Sequence, residues 1–82
     1  MSRWEALYEE VKNNPRDVRF RDLCNLVERF GFVFRGRRGS HVVYGKKSVF
    51  EILNFQEVGG KAKPCQVRQF LKVVEKYHLQ LE

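Results

Sequence analysis

The stretch Phe32–Phe55, FVFRGRRGSHVVYGKKSVFEILNF, decides the fold. It holds three runs rich in β-branched and aromatic residues, Phe32 to Arg37, Ser40 to Tyr44 and Ser48 to Phe55. Arg38-Gly39 and Gly45-Lys46-Lys47 separate them, residue types that suit tight turns. The pattern predicts an antiparallel meander of three strands. Side chains alternate between the two faces of a strand, so Phe32, Phe34, Val42, Tyr44, Phe50 and Ile52 form the set expected to face a core. Arg35, His41, Val43 and Glu51 fall on the opposite, open face. One bulge in the third strand would reverse its later residues.

Upstream, Trp4, Leu7, Tyr8 and Val11 recur at helical spacing after Ser2, a good N-cap, and Asn13-Asn14-Pro15 ends the pattern. A second stripe, Phe20, Leu23, Cys24, Val27 and Phe30, closes on Gly31, the residue best suited to a left-handed C-cap. Downstream, Gly59-Gly60 marks a polar loop. Pro64 then opens a last helix with the apolar stripe Val67, Phe70, Leu71, Val74 and Tyr77. The order is ααβββα: an α+β fold with helices on one face of a three-stranded antiparallel sheet and the other face wet. Trp4 and Tyr8 read as core, and His78 with the Leu79–Glu82 tail as a frayed helix end.

The 82 residues leave no room for a second independent core, so residues 1–82 read as one domain. With 43% hydrophobic and 13% aromatic residues the chain can close a core, which argues against disorder. No apolar run spans a bilayer and the N-terminus lacks a signal-peptide pattern. Cys24 and Cys65 are too few for a disulfide framework, and the spacing of Cys24, His41, Cys65 and His78 fits no zinc pattern. The reading is a cytoplasmic protein with no metal and no cofactor.

The net charge of +6 is localised. From Arg35 to Lys72 there are nine basic residues and two acids, a local charge of +7, and the rest of the chain sums to −1. Charge confined to one half of a small domain points to a polyanion-binding face. Within it, His41 follows Gly39-Ser40 and has Arg35, Arg37 and Arg38 close by along the hairpin. An imidazole can accept a proton at neutral pH, while guanidinium groups hold phosphate oxygens. Lys61 and Lys63 precede the last helix, where their charge adds to the unpaired N–H groups of its N-terminus. Lys46, Lys47 and Arg68 complete the basic set.

Arg38-Gly39-Ser40-His41-Val42-Val43-Tyr44 resembles the hairpin of the HicA toxins, YcfA-like mRNA interferases whose fold is similar to double-stranded RNA-binding domains. Leu23 to Phe32 (LCNLVERFGF) resembles that family's first core helix and strand entry, and Gly59 to Glu75 (GGKAKPCQVRQFLKVVE) its loop and final helix. The resemblance covers about residues 19–79, with the helix over 2–13 as an N-terminal addition. Only His41 carries over as a catalytic position. Many family members have further histidines after the hairpin or before the last helix, where this chain has Tyr44, Gly45 and the Gln56–Gly60 loop. The resemblance implies a stress-response toxin that cleaves messenger RNA independently of the ribosome and is restrained by a HicB-like antitoxin.

The leading expectation is therefore a metal-independent endoribonuclease with His41 as general base and Arg35, Arg37, Arg38, Gly39, Ser40, Lys46, Lys47, Lys61, Lys63 and Arg68 contacting RNA. Tyr44, a lysine or water would protonate the leaving oxygen. The alternative from another class is a non-catalytic double-stranded RNA-binding module, which recognises A-form RNA by shape and phosphate contacts. A third is a partner domain that docks an acidic protein on the basic face.

Overall fold

The computed structural model describes residues 2–82. Helix α1 (Arg3–Asn13) starts with a capping box: the Glu5 N–H donates to Ser2 Oγ at 3.1 Å and the Ser2 N–H donates to Glu5 Oε1 at 3.0 Å. Helix α2 (Phe20–Arg29) ends before Gly31, whose φ of 91° is the left-handed conformation a glycine adopts without strain. Strands β1 (Val33–Arg38), β2 (His41–Gly45), β3 (Leu53–Val58) and β4 (Lys61–Ala62) follow, then helix α3 (Pro64–Lys76) with Pro64 in its first turn.

The fold is α+β, but the antiparallel sheet has four strands, ordered β1-β2-β3-β4, where three were expected. The fourth arises because Gly59 and Gly60 form a two-residue hairpin turn rather than an open loop. Both have positive φ, 59° and 81°, as a turn matched to strand twist requires. Strand β4 is covered on its far side by the entry to α2: the Ala62 N–H donates to Val18 O at 2.9 Å and the Phe20 N–H to Gly60 O at 3.0 Å. The sheet's exposed edge is β1.

All three helices pack against a shared core. Phe70 of α3 meets Phe30, Phe32 and Phe55 with ring centroids 5.6, 6.3 and 6.4 Å apart. Leu23, Leu26 and Val27 of α2, Val42 and Tyr44 of β2 and Leu53 of β3 complete it. Trp4 and Tyr8 do pack inward, Tyr8 against Phe30 at 5.1 Å. The last residues are not frayed. Leu79 and Leu81 pack on the core, the Glu82 N–H donates to Arg29 O at 2.7 Å, and Lys46 pairs with the Glu82 carboxylate at 2.9 Å.

The third strand departs from the sequence reading in both limits and parity. It begins at Leu53, and residues 46–52 form a loop in which Val49 is buried and the Val49 N–H donates to Lys46 O at 2.9 Å. Phe50 and Ile52, expected inward, are 90% and 56% exposed. Leu53 sits opposite Tyr44 and Phe55 opposite Val42, so those two residues enter the core. The bulge lies in β1 instead: Phe34 pairs with Tyr44 and Gly36 with Val43, which leaves Arg35 as the extra residue. Phe34 is consequently half-exposed at the sheet edge, its ring edge-on to Tyr44 at 5.8 Å.

The loop over 46–52 is anchored from α3. Lys76 Nζ and Tyr77 Oη donate to the Glu51 carboxylate at 2.8 and 2.7 Å, and the Lys76 hydrogen bond, followed by that of Tyr77, holds Glu51 down to a pKa of about 2. Adjacent substitutions test the parity. Leu53→Ala should cost about 2–5 kcal/mol by opening a cavity, whereas Ile52→Ala should stay within about 1 kcal/mol. Urea unfolding of the two variants reads the difference; equal costs would mean the strand is shifted by one residue.

Candidate active site

His41 is the first residue of β2. The two-residue turn Gly39-Ser40 delivers it, with Gly39 at φ 61°, so that His41 pairs with Arg38 on one side and Gln56 on the other. Because Val42, Tyr44, Leu53 and Phe55 point into the core, His41, Val43, Asn54 and Gln56 share the open face. There His41 Nδ1 lies 3.2 Å from Asn54 Oδ1. With the amide oxygen of Asn54 turned to the ring, the imidazole that fits this contact donates from Nδ1 and has Nε2 free. Asn54 also restrains the ring.

Two arginines line the same hollow as the histidine on that face. Arg38 is its cross-strand neighbour. Arg35, displaced by the bulge, reaches over Gly45: a Cβ at position 45 would lie 3.2 Å from Arg35 Nε and 3.4 Å from Ile52 Cδ1. A side chain there would require the guanidinium to shift by a few tenths of an ångström. Arg35, Gly36, Arg37, Arg38, His41, Val43 and Asn54 together line a shallow hollow. Among the described residues, neither Arg35 nor Arg38 takes part in an ion pair. Their donors remain available to an anion.

Lys63 joins the same region through the backbone. Its N–H donates to Gln56 O at 3.3 Å, and the Gln56 N–H donates to Gln66 Oε1 at 2.6 Å, so the start of α3 abuts the residue that pairs with His41. Most of the other predicted contacts are placed elsewhere. Arg37 pairs with buried Val42, leans toward the helix side beside Cys24 and Glu57, and donates to Gly39 O at 3.5 Å. Lys46 is held by Glu82. Lys61 is paired with Asp17, in a hollow that also contains Glu10 and Asp22. Lys47 and Arg68 are exposed in the β2–β3 loop and on α3, and Gly39 and Ser40 shape the turn. The basic half of the sequence is thus divided by the fold, with Arg35 and Arg38 lining the hollow of His41 and Lys63 joined to it only through the backbone of Gln56.

Tyr44 cannot serve as an acid for His41. Its ring is buried on the helix side, its O–H donates to Glu28 Oε2 at 2.6 Å, and burial together with that carboxylate pushes its pKa up. Cys24, beside it, is likewise pushed up by burial. Sequence reasoning missed Asn54, because the third run was given the wrong limits. A strand starting at Leu53 would have set Asn54 across from Val43 and diagonal to His41.

Comparison with known proteins gives no further guide: no family model, no curated protein and no solved structure matches the chain. The site's geometry makes its own division among the cations testable. Replacing Arg35 and Arg38 together by Ala should weaken binding to an RNA polyanion and lower the slope of log affinity against log salt by about 1–2. Lys61→Ala should have a smaller effect on both, since that ammonium lies beside Asp17 and outside the hollow. Fluorescence anisotropy over a salt series distinguishes the two; a larger effect from Lys61 would move the binding face to β4.

Proposed function

We propose that this chain is a small endoribonuclease of the HicA type, a messenger-RNA-cleaving toxin restrained by a HicB-like antitoxin protein and acting in the cytoplasm. The observation that carries the reading is the His41–Asn54 pair, a histidine held through Nδ1 with Nε2 free, in a hollow shared with Arg35 and Arg38, neither of which is in an ion pair among the described residues. Support for the double-stranded RNA-binding-domain-like architecture comes from the helix, antiparallel strands and closing helix over residues 20–76, with the helices on one face. The helix α1 is an addition in front of it.

In the proposed reaction His41 Nε2 removes the proton of a ribose 2′-hydroxyl. The resulting alkoxide oxygen attacks the adjacent phosphorus, the bond to the 5′-oxygen breaks, and a 2′,3′-cyclic phosphate and a free 5′-hydroxyl are formed. Arg35 and Arg38 bind the non-bridging oxygens, whose charge rises in the transition state. Asn54 is a positioning residue that holds the tautomer and the ring plane. With Tyr44 committed to Glu28 on the other side of the sheet, water supplies the proton to the leaving oxygen. The step as written uses the imidazole as base and no metal or cofactor.

His41→Ala should abolish cleavage while leaving fold and RNA binding in place. His41 lies at the surface end of β2 and is only half-buried, so the stability cost should be about 0.5–1 kcal/mol, from the lost Asn54 bond. Gel analysis of a purified RNA, with growth of cells expressing each form, measures it. Undiminished cleavage would assign the activity to another residue. A native chain that binds but never cuts would leave the non-catalytic RNA-binding module.

Asn54→Asp tests the pairing itself. A carboxylate at this position stabilises the imidazolium, so a higher pH is needed to free the base. The rising limb of the pH–rate profile should move up by about one unit, with activity regained at higher pH. An unmoved limb would mean that Asn54 does not engage the reacting imidazole.

A further inference from the structure

The open face changes character along its length. At the His41 end it is basic and polar; at the other end Val33, which pairs with Gly45, and Ile52, which lies beside that glycine, are 58% and 56% exposed. Phe50, in the loop two residues before Ile52, is 90% exposed. Phe50 adds nothing to the core, yet its backbone is held. Its N–H donates to Tyr77 Oη at 3.3 Å, and the next residue, Glu51, is tied to Lys76 and Tyr77. An aromatic ring is thus kept in water on an anchored loop. From His41 to Gly45 is four residues of strand, about 13 Å. Arg35, lying over Gly45, brings a guanidinium to the Ile52 end, within reach of the loop that carries Phe50.

We infer that Phe50 is a base-stacking residue and that the RNA taken by this site is single-stranded, its backbone held by Arg35 and Arg38 while an unpaired base lies on the Phe50 ring. The inference rests on the ribonuclease reading and deepens it. Charge at one end and a bare aromatic ring at the other suit a strand whose phosphates and bases are both accessible. An A-form duplex keeps its bases stacked inside and offers nothing for the ring to cover. A second copy of the chain is disfavoured on this surface, because it would set Arg35 and Arg38 against like charges.

The test uses the full chain carrying His41→Ala, so that the RNA is not consumed, with a fluorescent unstructured ribo-oligonucleotide and a duplex of the same sequence. Adding Phe50→Ala should weaken binding of the single strand about ten-fold and leave the duplex unchanged. Phe50→Trp should retain the affinity, and its emission should be quenched when the single strand binds. Circular dichroism confirms folding, which an exposed side chain should not affect. Equal affinities with and without Phe50→Ala, with salt-sensitive RNA binding and native cleavage intact, would overturn the stacking role alone. Absence of RNA binding in every form would overturn both this inference and the ribonuclease reading. A change in oligomeric state on Phe50→Ala, with RNA affinity unaltered, would assign the ring to a protein contact and also overturn the inference.

Discussion

Leu53 opposite Tyr44 and Phe55 opposite Val42, all four closing on the core around Phe70, set the parity on which the open face depends. With those side chains inward, the alternate residues His41, Val43, Asn54 and Gln56 must face out together. A slip of one residue in β3 would place Asn54 against the core and expose Leu53 and Phe55. An unsatisfied buried amide and two apolar side chains in water would then oppose the slip by several kcal/mol. The histidine's hydrogen-bond partner is therefore fixed by hydrophobic burial on the other side of the sheet. The polar contact at 3.2 Å could not by itself choose this register.

Two backbone devices then place charge beside the histidine. The Gly39-Ser40 turn brings Arg38 directly across from His41, and the β1 bulge puts Arg35 over the same face rather than under it. Gly45 supplies the space into which Arg35 leans. Edge strands are commonly blunted by charge and bulges against unwanted pairing. In β1 the same features also gather cations at the hollow beside His41, so one arrangement serves both solubility and anion binding.

The remaining cations show how little a local count reveals about a binding surface. Lys46 reaches the Glu82 carboxylate, and Lys61 reaches Asp17, partners 36 and 44 positions away in sequence. Exposed pairs of this kind contribute little to stability. They do set those two ammonium groups beside carboxylates and outside the lining of the His41 hollow. The Glu51 anchor to α3 similarly gives a polar residue in an irregular loop a defined position, and with it the neighbouring Phe50.

By itself the sequence determined the three helices, the β1–β2 hairpin and the α+β class. Each rests on short-range physics: the Ser2–Glu5 box, the 3.6-residue apolar stripes, Gly31 after α2, Pro64 at the start of α3 and the Gly-Ser turn. Tertiary structure alone decided the true third strand, since Ser48–Phe55 alternates plausibly in either parity and only packing against Phe70 selects Leu53 and Phe55. It also decided β4, whose two residues pair only because the Gly59-Gly60 turn and the Val18–Phe20 backbone hold them from both sides. Asn54 as partner of His41, the loss of Lys46 and Lys61 to carboxylates and the seclusion of Tyr44 follow from contacts between distant segments. Alternation along a single strand carries no information about which neighbour it will meet.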